Sequence, residues 1–99
     1  MLFDARRALP QVNRDVLDAA DYIREHGWCQ HTYRTQAGVC VLGAIYALGL
    51  SPARMNDVAG LLCTELGVLG IGNWNDAPGR TKEQVLARLE EIGWGDGAG

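Results

Sequence analysis

Residues 39–49, VCVLGAIYALG, contain no charged side chain and almost no polar one, and this run constrains the fold more than any other part of the chain. Cys40, Gly43, Ala44 and Ala47 recur at i, i+3, i+4 and i+7 and form a stripe of small residues. Val41, Ile45 and Leu48 form a second stripe, and Leu42 adds a third apolar position. A helix that is apolar on nearly all sides belongs inside a domain rather than on its surface. At about 20 residues needed to cross a bilayer, the run is too short to be a membrane span. The small stripe would let a neighbouring helix or an indole ring approach closely.

The rest of the chain supplies partners for such a helix. Asn13 can cap a helix whose Val16, Leu17, Ala20 and Ile23 follow the helical period, with Asp15, Asp18, Asp21, Arg14 and Arg24 on its wet side. His26 falls in its last turn and Gly27 ends it. Ser51-Pro52 opens a third helix with Met55, Val58, Ala59, Leu62 and Leu66 on one face, closed by Gly67. VLGIGNW then reads as an irregular connector. Thr81 and Gln84 have the spacing of a capping box, and Val85, Leu86, Leu89 and Ile92 line a last helix that Gly93 stops. Residues 28–38 lack this period and read as a short hairpin or ordered loop.

The fold expected is therefore mainly α: one compact domain over residues 1–94, of about four helices around a central buried helix at 39–49. Residues 1–11 form an N-terminal arm and 95–99 a disordered tail. A chain of 99 residues suits a single core. The opening MLFDARRALPQ has no apolar stretch of signal-peptide length, so a cytoplasmic protein is expected. Three cysteines make an odd count that does not suggest a disulfide framework.

Both histidines and two of the cysteines fall within HGWCQHTYRTQAGVC, residues 26–40, and three chemistries compete for them. His26, Cys29, His31 and Cys40 are plausible zinc ligands, but zinc needs four converging donors and ionised thiols, and the spacing is not that of two close pairs. Cys40 at the start of a helix could be a thiol nucleophile, with His31 as base, Asn75 or Asp76 as orienter and Gln30 as oxyanion donor. The bland alternative places His26 at a negative helix end, His31 on the surface and Cys40 in the core, where cysteine acts as a small hydrophobe. Cys63 is expected in the core. Residues 40–62 also have the grammar of a helix-turn-helix, with Arg54 and Asn56 toward DNA but Asp57 among them. A net charge of −3 does not favour nucleic acid.

NWND, residues 73–76, is a turn former that could bond its own backbone ahead of the last helix. It could also build a rim: Trp28, Gln30, Tyr33, Trp74, Asn75 and Asp76 together offer aromatic contact area and orienting polar groups.

Four blocks, GWCQ (27–30), CVLGAIYAL (40–48), NWNDAPGRT (73–81) and QVLARLEEI (84–92), resemble a family of small uncharacterised proteins of actinobacteria and their phages. That family's pattern runs from a Trp-x-Gln element through a Cys-x-Leu-Gly-Ala helix and an aromatic-Asn-Asp turn to a last helix containing Val-Leu. The resemblance covers residues 17–92. The family often has Thr or Ser at the place of Cys29, Gly at that of His31 and His at that of Lys82, so Cys29 and His31 are not shared machinery. It implies a small phage-encoded or actinobacterial accessory protein of the cytoplasm (the host's, if phage-encoded) with no established activity and no cofactor. The leading expectation is a non-enzymatic interaction module for a host protein or small ligand, able to form a homodimer. The alternative is a Cys40-dependent hydrolase or transferase.

Overall fold

A computed structural model describes residues 5–95, so the expected N-terminal arm is covered only from Ala5, and all but the first residue of the expected tail lies outside the described residues. Ala5–Ala8 make a short 3-10 turn, followed by helices α1 (Gln11–His26), α2 (Val41–Ala47), α3 (Pro52–Leu66), α4 (Ile71–Asn75) and α5 (Lys82–Trp94). Strands β1 (Arg34–Thr35) and β2 (Gly38–Val39) pair antiparallel, with Arg34 opposite Val39 and Thr35 opposite Gly38. The fold is mainly α, as the periodicities require, with the expected hairpin between α1 and α2.

Helix α1, not the 39–49 segment, is the centre. It packs against α5, α2 and α3, and Val16, Leu17, Ala19, Ala20 and Ile23 are all buried. Around it Val41, Ala44, Ile45, Val58, Leu62, Ile71, Val85, Leu89 and Ile92 complete a contiguous core. Helix α2 has only seven residues, because Val39 belongs to β2 and Leu48 and Gly49 turn away. It buries one side and leaves Tyr46 and Ala47 exposed. The longer α1 contributes the most buried positions to the core while keeping Asp18, Arg24, Glu25 and His26 exposed on its outer side.

Where signals are local, they hold. Ser51 Oγ accepts the amide of Arg54 with Pro52 at the first helical position, and Gly67 leaves α3 in a left-handed conformation. Thr81 and Gln84 form both bonds of the capping box on α5. Helix α1 stops at His26, and Gly27 follows with φ 93°.

Four sequence expectations are corrected by long-range partners. Asn13 caps no N-terminus, since α1 starts at Gln11. Its amide instead donates to the carbonyls of Ile92 (3.3 Å) and Gly93 (3.1 Å) in the last turn of α5, the first of which also accepts the Gly95 amide. Gly93 sits inside α5 rather than ending it, because a Cβ there would overlap Leu17 of α1, and Gly95 makes the stop. Asp15, expected on the wet side, is 1% exposed: Arg54 grips its two oxygens at 3.1 and 2.7 Å, and Gln11 adds a third bond. The Gly-rich connector VLGIGNW holds the first four residues of α4, whose Ile71 and Asn75 are buried, so packing overrides poor helix propensity.

Candidate functional site

The segment between α1 and α2 is held by backbone pairing that only glycine permits. Trp28 and Val39 form a parallel bridge: the Val39 amide donates to the Gly27 carbonyl and the Cys29 amide to the Val39 carbonyl, both at 3.1 Å. A side chain at Gly27 would overlap the Ala37 carbonyl. The Cys40 amide then donates to the Tyr33 carbonyl (3.1 Å), which lies where a Cβ of Gly43 would be. Gly43 therefore serves this backbone approach, not the helix or indole contact that the small stripe suggests.

Asn75, at the end of α4, fastens this loop to α2. It is fully buried. Its Oδ1 accepts from Trp28 Nε1 (2.7 Å) and from the Val41 amide (3.1 Å), while Nδ2 donates to the Cys29 carbonyl (3.1 Å) and Asp76 Oδ1 (2.9 Å). Gln30 Nε2 donates to the carbonyls of Asn75 and Ala77, both at 3.1 Å. Asp76 Oδ1 also accepts the His31 amide at 2.8 Å, with His31 in the left-handed region at φ 71°. The Asn75 and Asp76 side chains thus reach residues 28–41 rather than bonding their own backbone.

Of the expected rim, Trp28, Gln30, Asn75 and Asp76 meet in this network. Asn75 faces no solvent, so its part is to position the others. Trp74 is half-buried against the core, with the Arg80 guanidinium 4.2 Å over its ring and Arg80 Nε donating to its carbonyl (3.0 Å). Tyr33 is 56% exposed and meets Tyr46 edge-on, with 5.4 Å between ring centroids.

The chemistry-bearing residues converge on one depression. It has a volume of about 270 Å³ and is walled by His31, Thr32, Tyr33, Cys40, Leu42, Gly72 and Asp76. Two further hollows continue from it along α2: a flatter one of about 570 Å³ lined by Tyr33, Arg34, Gly43, Tyr46 and Ala47, and a smaller one of about 190 Å³ lined by Leu42, Ile45, Tyr46, Met55, Asn56 and Ala59. Thr32, Leu42, Tyr46 and Gly72 were not singled out from the sequence. Leu42 and Tyr46 share a face four residues apart, and this spacing was the available signal.

Electrostatics separate the two acidic groups on that wall. The backbone amide of His31, then the Asn75 amide, hold the Asp76 carboxyl below its usual range, so it is an anion at neutral pH. His31 Nδ1 lies 3.9 Å from Asp76 Oδ2. Burial pushes the Cys40 thiol up, outweighing the amides of Gly43 and Leu42. Cys40 is the N-cap of α2, its Sγ accepting the Gly43 amide at 3.3 Å, and is only 5% exposed.

The proposed zinc quartet does not assemble. His26 stacks on Tyr22 (4.1 Å between centroids), Cys29 Sγ turns to the Thr32 carbonyl, and Cys40 caps α2. Among the described residues no three His, Cys, Asp or Glu side chains are placed to hold a metal ion. For the helix-turn-helix reading, Arg54 at the start of α3 is committed to Asp15. Cys63, expected in the core, is half-buried with its sulfur toward the Leu69 carbonyl. No described helix is long and apolar enough to cross a membrane.

No curated protein and no solved structure matches the chain. Residues 8–92 match a family of unknown function, DUF6197. That span is most of the chain, and the protein belongs to this family of uncharacterised proteins.

Proposed function

We propose that this protein is a non-enzymatic interaction module that binds a partner protein along the exposed face of α2. The observation that carries the reading is the continuity of the three hollows, each pair of which shares one wall: Tyr33, Leu42 or Tyr46. Ligand sites that engulf drug-sized molecules run to about 300–1,000 Å³. The more enclosed depression, about 270 Å³, falls below that range, and the neighbouring hollow of about 570 Å³ is a flatter, open surface, so the face suits one inserted side chain with flanking contacts. Tyrosines at the rim fit this role, since they supply contact area at low entropic cost. The Asp76 carboxylate at the deep end selects an inserted group that is cationic or tipped with hydrogen-bond donors. An actinobacterial or phage source and a cytoplasmic setting, both implied by the sequence resemblance, are part of this proposal.

The test is an NMR titration of labelled protein with small aromatic and alkyl ammonium fragments. Shifts are expected to cluster at residues 31–33, 42–46 and 72–76, and to vanish in Asp76→Asn for the ammonium members only. Shifts clustered elsewhere, or none at all, overturn the proposal.

A second reading is supported by the shared wall of Cys40, His31 and Asp76. In it Cys40 is the nucleophile of a small thiol hydrolase or transferase, His31 the base and Asp76 its orienter. The raised thiol pKa and the cap bond to Gly43 weigh against it. Alkylation by iodoacetamide at pH 7 distinguishes the readings: a nucleophile reacts faster at Cys40 than at Cys63, whereas a sequestered cap reacts more slowly.

A further inference from the structure

We propose that Cys29 and Cys40 are a redox pair that closes to an intrachain disulfide by exchange with a low-molecular-weight disulfide. The geometry is that of the Trp28–Val39 parallel bridge. One residue past this isolated bridge on each segment stand Cys29 and Cys40, and alternation sends both side chains to the face opposite that of Trp28 and Val39. Strands paired at such a bridge lie about 4.8 Å apart, near the lower end of the range of about 4.4–6.8 Å between Cα atoms that a disulfide spans, which leaves room for the segments to widen at the next residue.

Independent bonds hold the two in place. Asn75 reaches the Cys29 carbonyl with Nδ2 and the amide after Cys40 with Oδ1, so one buried side chain clasps both strands at this level. The Cys29 amide is tied to Val39 and the Cys40 amide to Tyr33. Both cysteines are free and buried. Of the pair, Cys40 is the one that lines the depression, so an incoming small disulfide reaches it there.

The exchange balances as follows. The Cys40 thiolate attacks one sulfur of the small disulfide, forming a mixed disulfide and releasing one small thiolate. The Cys29 thiolate then attacks the Cys40 sulfur, forming the Cys29–Cys40 bond and releasing the second. Both cysteine protons leave with the two small thiols; the protein is oxidised by two electrons and the reagent reduced by two. Burial of Cys40 makes the first step slow at neutral pH and faster as pH rises. The ring so closed contains His31, Thr32 and Tyr33, three walls of the depression, so oxidation restrains the loop that shapes it. The pairing stands whether or not that depression binds a partner.

The full chain is incubated with oxidised glutathione at pH 8, quenched in acid, unfolded, alkylated and mapped by peptide mass spectrometry. A linked peptide joining Cys29 to Cys40 is expected, with Cys63 alkylated or carrying glutathione. Cys40→Ser keeps a cap oxygen for Gly43 and should fold; in it Cys29 should form no linked peptide. A second probe needs no variant: phenylarsine oxide, which bridges two neighbouring thiols, should bind the reduced chain one to one and protect Cys29 and Cys40 together from alkylation. The proposal is overturned if glutathione modifies Cys63 while Cys29 and Cys40 stay reduced, if the linked peptide contains Cys63, or if the arsenical protects neither sulfur of the pair.

Discussion

Replacing Asn75 by alanine tests the centre of this structure. The side chain is fully buried and serves three groups that would otherwise be orphaned: the indole of Trp28, the amide of Val41 and the carbonyl of Cys29. Its fourth partner, Asp76, is part-exposed and can turn to water. Each buried group left without a partner costs about 1–3 kcal/mol, which sums to about 3–9 kcal/mol. The space left by an amide, ringed by three polar groups, meets the needs of one ordered water, which recovers part of that loss. We expect a net destabilisation of about 3–4 kcal/mol, set against a total of about 5–15 kcal/mol for a domain of this size. Urea titration followed by tryptophan emission reads it directly. With a slope near 2 kcal/mol/M, the midpoint should fall by about 1.5–2 M. A loss below about 1 kcal/mol would show that the four bonds do not hold the loop, and the reasoning about the site would fail with them.

The near-isosteric Asn75→Asp separates hydrogen bonding from volume. A carboxylate still accepts from Trp28 and Val41, but it confronts the Cys29 carbonyl and Asp76 with negative oxygens. Its folded pKa must lie above the unfolded value of about 3.9. The deficit relative to the parent is therefore small below that value, grows as pH rises through it, and is complete above the raised folded pKa. A deficit that does not change between pH 4 and 8 refutes the arrangement.

Three further outcomes follow from the same structure. Gly43→Ala drives a methyl into the Tyr33 carbonyl and should cost about 1–3 kcal/mol by overpacking, read as a lower urea midpoint, although Ala favours helix elsewhere. Asn13→Ala should cost about 1 kcal/mol and raise amide exchange in the last turn of α5, since its amide satisfies the carbonyls of Ile92 and Gly93. Asp76 has a folded pKa depressed by the His31 and Asn75 amides, so it adds stability above about pH 4 that is lost as pH falls through the folded value. Asp76→Asn should accordingly flatten the acid side of the stability profile, measured by urea midpoints from pH 2.5 to 6.

What could be read in advance divides by sequence distance. The start of α3 needs only Ser51, Pro52 and the amide of Arg54, and α5 opens on a box completed within four residues. Such signals carry their own partners, so they are legible in one line of sequence. The apolar positions of α1 and α5 are legible for a related reason: one face must be buried whichever neighbour buries it. Asp15 looked like a surface acid because its compensating charge, Arg54, lies on another helix. Asn13 looked like a cap and is one, but for the far end of a helix that ends about 80 residues later.

The site shows the same division with a sharper consequence. Four of the six expected rim residues, Trp28, Gln30, Asn75 and Asp76, meet at one end of α2, because they are polar and aromatic residues that the turns leave there. Their division of labour was not legible, because an amide that reads a ligand and an amide that fastens a loop have the same composition. Burial decides between them. Asn75 has spent all its bonds inside, and Trp28 its indole hydrogen, whereas Tyr33 and Tyr46 remain exposed and Asp76 keeps Oδ2 for a partner. Substituting Asn75 would abolish binding by dissolving the scaffold and would say nothing about contact. Tyr33→Ala combined with Tyr46→Ala leaves every bond of that network in place. It is the pair whose effect on fragment or partner binding, at unchanged urea midpoint, measures the surface itself.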